Sequence, residues 1–218
     1  MKKIDTDSAK TILSKAQKGC HKMDDHIGEL IEKVLRGSHK TYRYILVTAL
    51  LAKSTNNEID PLSLQAGDNS EGAYDARSLC HGIIVPFERE FYPNGIGGSN
   101  EPFLNKPARF TRLSENNAVR RGYDMEILKN VIEILSSIKT SEAALSYLSS
   151  AIFNIAQISK EDANKYELPD LDIEQADLPQ TILDYITTLT DQSYEGEICP
   201  LVVSALEHLY YEGSYAII

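Results

Sequence analysis

Apolar residues recur at helical spacing along most of the chain. Ile12, Leu13 and Ala16 form a first stripe that Ser8 is placed to cap. Ile27, Leu30, Ile31, Val34 and Leu35 form a second, which Gly37 stops. The run from Thr41 to Ala52, TYRYILVTALLA, is apolar nearly all round, and a helix of that kind belongs at the centre of a domain. Asn56-Asn57 and Asp60-Pro61 end it, and Pro61 predicts a short helix through Leu62, Leu64 and Ala66. Helical spacing returns over 124–138, with Ile127, Leu128, Val131, Ile132 and Leu135 on one side. It returns again after Thr140 or Ser141, with Ala144, Leu145, Leu148, Ile152, Phe153 and Ile155. Residues 160–179 are acidic and bounded by proline, which reads as a linker or wrapping arm; two last helices are expected over 180–189 and 200–211.

Between Tyr74 and Phe110 this regularity breaks. Pro86, Pro93, Pro102 and Pro107 recur too closely for one long helix. A helix of two to three turns fits from Tyr74 through His81. The run from Gly82 to Phe91 suits either a strand or a helix starting at Pro86, because short apolar runs do not separate the two periods. Asn94-Gly95 and Gly97-Gly98 make a turn in both cases. Residues 99–118 are a long non-periodic stretch of the kind that ligands hold. The expected fold is therefore mainly α: a compact multi-helix domain over 1–160 with an irregular Gly/Pro-rich centre that has room for a short β-hairpin. An acidic, helical C-terminal extension follows over 161–218.

Charge sharpens that division. The chain carries a net −10, yet residues 161–218 hold 13 acidic side chains against Lys165, so the surplus belongs to the extension. Over 102–130 six basic residues (Lys106, Arg109, Arg112, Arg120, Arg121, Lys129) face Glu115, Asp124 and Glu126, a local excess suited to phosphate. No apolar run approaches the roughly 20 residues of a membrane span. Asp5 and Asp7 stand where a signal peptide would be apolar, and three scattered cysteines make no disulfide framework, so a reduced, cytoplasmic protein is expected.

Three constellations are candidates for chemistry. Asp75 with Glu88 and Glu90 is the nearest approach to a Mg²⁺-holding nuclease centre, but Arg89 separates the glutamates and no lysine follows nearby. Cys80-His81 invites a thiolate–imidazole reading, but neighbouring side chains diverge on a helix or a strand, and a buried thiol suits Cys80 better. His21, His26 and His39 lack the thiol or carboxylate spacing of a metal site, so none is expected. Binding chemistry fits better. Arg77, His81, Asn100, Asn105, Lys106, Arg109 and Arg112 are of types that read base edges and hold phosphates, in a segment, 74–122, whose glycines permit close approach.

Thr41-Tyr42, Val47 to Ala52, Asp60-Pro61, Arg77, Leu79-Cys80-His81-Gly82 and Val85-Pro86, with a weaker continuation through Gly98, Glu101-Pro102, Asn105, Pro107 and Phe110, resemble the N-terminal part of the SacI family of type II restriction endonucleases. The resemblance implies recognition of double-stranded DNA in restriction and phage defence. It also implies a cleavage motif, an Asp followed by a strand bearing Glu-x-x-Lys, in a separate domain after the helical region, and no such motif occurs in the last sixty residues. The expected function is a DNA-recognition or accessory module. No cofactor is expected in this chain, with Mg²⁺ belonging to any nuclease activity, and a nuclease or methyltransferase partner or a homodimer is expected. Two alternatives stay open: a complete Mg²⁺-dependent endonuclease with a degenerate centre, and a helical protein-interaction subunit.

Overall fold

The computed structural model describes residues 4–65, 67, 70–117, 119 and 122–164, with 180, 183, 184, 186, 187, 200 and 202–204 in the C-terminal part. The chain divides into two compact units, Met1–Asp162 and Ala163–Ile218. Most of the two expected C-terminal helices and of the acidic arm lies outside the described residues.

Helices dominate, as the spacing predicts. They are α1 (Thr6–Lys18), α2 (His26–Arg36), α3 (Lys40–Thr55), α4 (Ala76–Leu79), α5 (Val85–Phe91), α6 (Tyr123–Ser137) and α7 (Ser141–Asn164). Among the described residues there is no strand, and the room left for a hairpin is filled by turns. The sole extended pairing there is an isolated antiparallel bridge between Ser63 and Arg112.

The apolar α3 is the centre, burying thirteen of its sixteen residues and packing against α1, α2, α4 and α6. Its C-terminus is closed by Lys53, whose buried ammonium donates to the carbonyls of Asn57 (2.6 Å) and Ile59 (2.9 Å). Placing that cation beyond the last turn satisfies carbonyls left without helical partners and favours the helix dipole. Helix α2 turns its stripe of Leu30, Ile31, Val34 and Leu35 inward and stops at Gly37, as expected.

Two local expectations are corrected. Asp5, not Ser8, caps α1: its carboxylate accepts from the Ser8 N–H at 2.8 Å, so the helix starts three residues earlier. Pro61 starts no helix. Residues 61–62 form a turn, after which Leu64 N–H donates to Thr111 O (3.1 Å) and Leu113 N–H to Leu62 O (2.8 Å). Pairing with the 111–113 segment takes the backbone groups that a short helix would have used.

Candidate functional site

The irregular centre resolves into one bent helical rod and a loop folded back upon it. Asp75 caps α4, accepting from Ser78 N–H (2.9 Å) and Ser78 Oγ (2.7 Å). The rod then widens into a π turn over Cys80–Ile84 before continuing as α5. Pro86 explains the widening. It has no N–H, and its ring would press on the carbonyl four residues back, that of Gly82. In the π turn the Val85 N–H bonds to Cys80 O instead, which opens the coil just ahead of the proline, with Gly82 exposed. Of the two readings of 82–91, the helix is the one realised.

Glu88 anchors the loop. The residue is 1% exposed, and its Oε1 accepts the N–H groups of Ile96 (2.8 Å), Gly97 (2.7 Å) and Gly98 (2.9 Å). Its Oε2 accepts from Tyr44 Oη at 2.5 Å, and that hydroxyl in turn accepts the Ser99 N–H at 2.8 Å. Three consecutive amides converging on one oxygen form a backbone nest that a negative charge fills. Gly98 is required there: its φ of +65° suits glycine, and a Cβ would stand 2.4 Å from Asn94 Oδ1. Arg43 fastens the same loop from α3, donating to Ile96 O (3.1 Å) and to Gly37 O (2.7 and 3.0 Å). Burial of that guanidinium lowers its pKa, although it stays protonated at any physiological pH.

The polar residues named from sequence fall into three groups on this frame. Arg77 (3.6 Å) and His81 Nδ1 (3.4 Å) both approach Glu101, and the His81 ring stands edge-on to Phe103 at 6.4 Å. Asn100 accepts from Arg89, and Arg112 is engaged by Asp60 and donates to Ser63 Oγ (2.7 Å). Asn105 Nδ2 donates to Thr41 Oγ1 at 3.0 Å. Lys106 and Arg109 are exposed on the 3-10 turn Lys106–Arg109, and neither makes an ion pair among the described residues. Asn105, Lys106 and Pro107 line, together with His39, Tyr42, Val119 and Asp124, an open cavity of about 530 Å³.

Of the carboxylates considered for metal, Asp75 is occupied as a cap and Glu88 has both oxygens committed to protein donors, while Glu90 is exposed beside an apolar groove against α1. Among the described residues no three His, Cys, Asp or Glu side chains gather closely enough to hold an ion. These carboxylates, among the described residues, therefore do not fit Mg²⁺. Cys80 is fully buried, and burial pushes its thiol up to about 12, which leaves it protonated and unreactive at neutral pH.

A family model of the SacI restriction endonuclease N-terminal domain matches residues 6–159, which takes in the whole of this site. The chain belongs to that family. Type II restriction enzyme SacI of Streptomyces achromogenes is 38% identical over 78 residues, a stretch covering 35% of this chain and 21% of that enzyme. The chain therefore matches about a fifth of that relative's length. No helix among the described residues is long and apolar enough to cross a membrane.

Several features of this SacI-type N-terminal domain escape sequence reasoning. Glu88 reads from sequence as a candidate metal ligand or a solvent-facing charge, and its anchoring role is hidden because three of its four partners are main-chain amides that no side-chain pattern reveals. Tyr42 is lost within the apolar run of α3, and Asp124 reads as an ordinary first-turn acid of α6. The signal that could have found Glu88 is the Gly97-Gly98 pair ten residues on, a sequence able to turn successive amides toward one point.

Proposed function

We propose that this domain is the DNA-recognition or accessory module of a SacI-like restriction system, binding double-stranded DNA through the 102–112 segment while a separate domain or a partner subunit hydrolyses it. The observation that carries the reading is the family match over 6–159, in a family whose name is that of a restriction endonuclease. Geometry adds support in Lys106 and Arg109, two cations without a carboxylate partner among the described residues, on a turn tied to α3 through Asn105 and Thr41 and to the 60–65 segment through Gln65 and Ala108 O. Such cations gain most from a phosphate, since no internal ion pair has to be broken.

Arg77, His81 and Arg112 take a second role in this reading. Glu101 and Asp60 hold them in place, so they approach a base edge or phosphate only by exchanging one anion for another. Mg²⁺ and the scissile chemistry belong to the hydrolytic partner, and the system works in the cytoplasm, where incoming DNA is met.

Fluorescence anisotropy with a labelled duplex, beside a plasmid digest with Mg²⁺, tests the proposal. Duplex binding without cutting by this chain is expected. Cutting by the purified chain would establish the complete-endonuclease alternative, and no duplex binding at low salt would remove the DNA reading.

A further inference from the structure

The cavity between the N-terminal ends of α3 and α6 places one buried, unpaired hydroxyl beside several solvent-reaching polar groups. Tyr42 is fully buried, lines the cavity, and its hydroxyl has no hydrogen-bond partner among the described residues. A buried hydroxyl left unpaired has lost its water without gaining a partner, and a ligand that pairs it recovers that cost. Burial, aided by the nearby Asp124 carboxylate, pushes that phenol up to about 12, so it remains a donor at every working pH. Asp124 and Lys106 make no ion pair among the described residues, although both line the same cavity. Asn105 has its amide nitrogen committed to Thr41, which leaves Oδ1 as an acceptor. The His39 ring packs edge-on to Tyr42 at 5.0 Å and makes no capping bond to α3, so planar surface adjoins the polar groups.

A ligand that satisfies this set has an anionic end for Lys106, a planar ring to lie beside His39, a ring nitrogen to accept from the Tyr42 hydroxyl, and, next to that nitrogen, amino hydrogens for Asp124 and Asn105 Oδ1. The roughly 530 Å³ of the cavity falls within the range of about 300–1,000 Å³ found for small-ligand sites. We propose that the cavity takes a single nucleotide whose base carries an exocyclic amino group, its phosphate on Lys106 and its amino edge against Asp124 and Asn105. The nucleotide comes either from a duplex, swung out of the stack, or from free mononucleotide. The first source rests on the DNA reading above; the second does not.

The experiment uses the full chain and a duplex carrying 2-aminopurine opposite cytosine, a mispair that lowers the energy of extruding the base. Anisotropy reports duplex binding, and 2-aminopurine fluorescence reports unstacking. A several-fold rise in fluorescence is expected with the wild type. Tyr42→Phe and Asp124→Asn should shift its midpoint by about tenfold, the loss of one good hydrogen bond to a buried group, while Tyr42→Phe melts at or above the wild-type temperature because it removes a hydroxyl with nothing to bond. AMP and CMP titrations followed by calorimetry form the second arm, with TMP, which lacks an amino group, as the comparison. An anisotropy change with flat fluorescence and no AMP or CMP binding overturns the cavity proposal and leaves the DNA reading standing. No anisotropy change, with AMP binding that Tyr42→Phe abolishes, does the reverse. Equal binding of AMP and TMP, or binding indifferent to Tyr42→Phe, also overturns it.

Discussion

Replacing Glu88 by glutamine tests the frame on which the whole site is mounted. The change alters one atom and almost no volume, so cavity formation does not enter. In the wild type one carboxylate oxygen receives three amides and the other receives the Tyr44 hydroxyl. Hydrogen bonds to a charged group contribute about 1.5–3 kcal/mol each against about 0.5–1.5 for neutral pairs, so making the acceptor neutral weakens the three amide bonds by roughly 3 kcal/mol together. The new NH₂ then faces Tyr44 Oη, which already accepts from Ser99, and the phenolic hydrogen loses its acceptor, adding about 1 kcal/mol or more. Relief from burying a charge offsets part of this, by an amount that leaves a net destabilisation of about 2–4 kcal/mol. For a unit of this size that lowers Tm by roughly 5–15 °C. Urea and thermal melts followed by circular dichroism measure the loss, and amide exchange should show Ile96, Gly97 and Gly98 losing protection before the helices do. A Glu88→Gln protein within about 0.5 kcal/mol of wild type, with those amides still protected, would refute the anchoring role.

Other expectations follow from particular contacts. Gly72→Ala should destabilise by about 2 kcal/mol or more in a urea melt, because φ is +83° and a Cβ would lie 2.6 Å from Asp60 N and 2.7 Å from Glu58 O, both backbone atoms. Iodoacetamide at pH 8 should label exposed Cys20 in the native protein and leave Cys80 unmodified until denaturant is added, as read by peptide mass mapping. Arg36→Ala should cost no more than about 1 kcal/mol despite removing a bidentate pair with Glu161 at 2.8 Å and a contact with Glu32, since the pair is largely solvated.

Helical spacing carried most of the architecture, for a physical reason that also marks its limits. The stripes of α2 and α6 and the apolar α3 are legible because burial of one face repeats with the helical period. Where tertiary hydrogen bonds decide, that reasoning fails: Pro61 lies in a segment whose amides bond to residues about 50 positions away. Pro86 misleads in the opposite sense, because a π turn accommodates it and the rod runs on. In the site, residue types were legible but their engagements were not. Arg77, His81 and Arg112 resemble Lys106 and Arg109 as sequence, and only the fold puts Glu101 or Asp60 beside them. Tyr42 belongs to an apolar helix by every pattern, and only the cavity beside it singles out its hydroxyl.

Exposed Lys106 and Arg109 are the cations expected to meet DNA phosphates. The direct measurement is the salt dependence of duplex affinity for the full chain, compared with Lys106→Ala, Arg109→Ala and Arg112→Ala. Each of the first two should weaken binding across unrelated sequences and reduce the slope of log K against log salt by about one, with a smaller change for Arg112→Ala, whose guanidinium Asp60 already engages. Slopes identical to wild type for Lys106→Ala and Arg109→Ala would contradict that expectation.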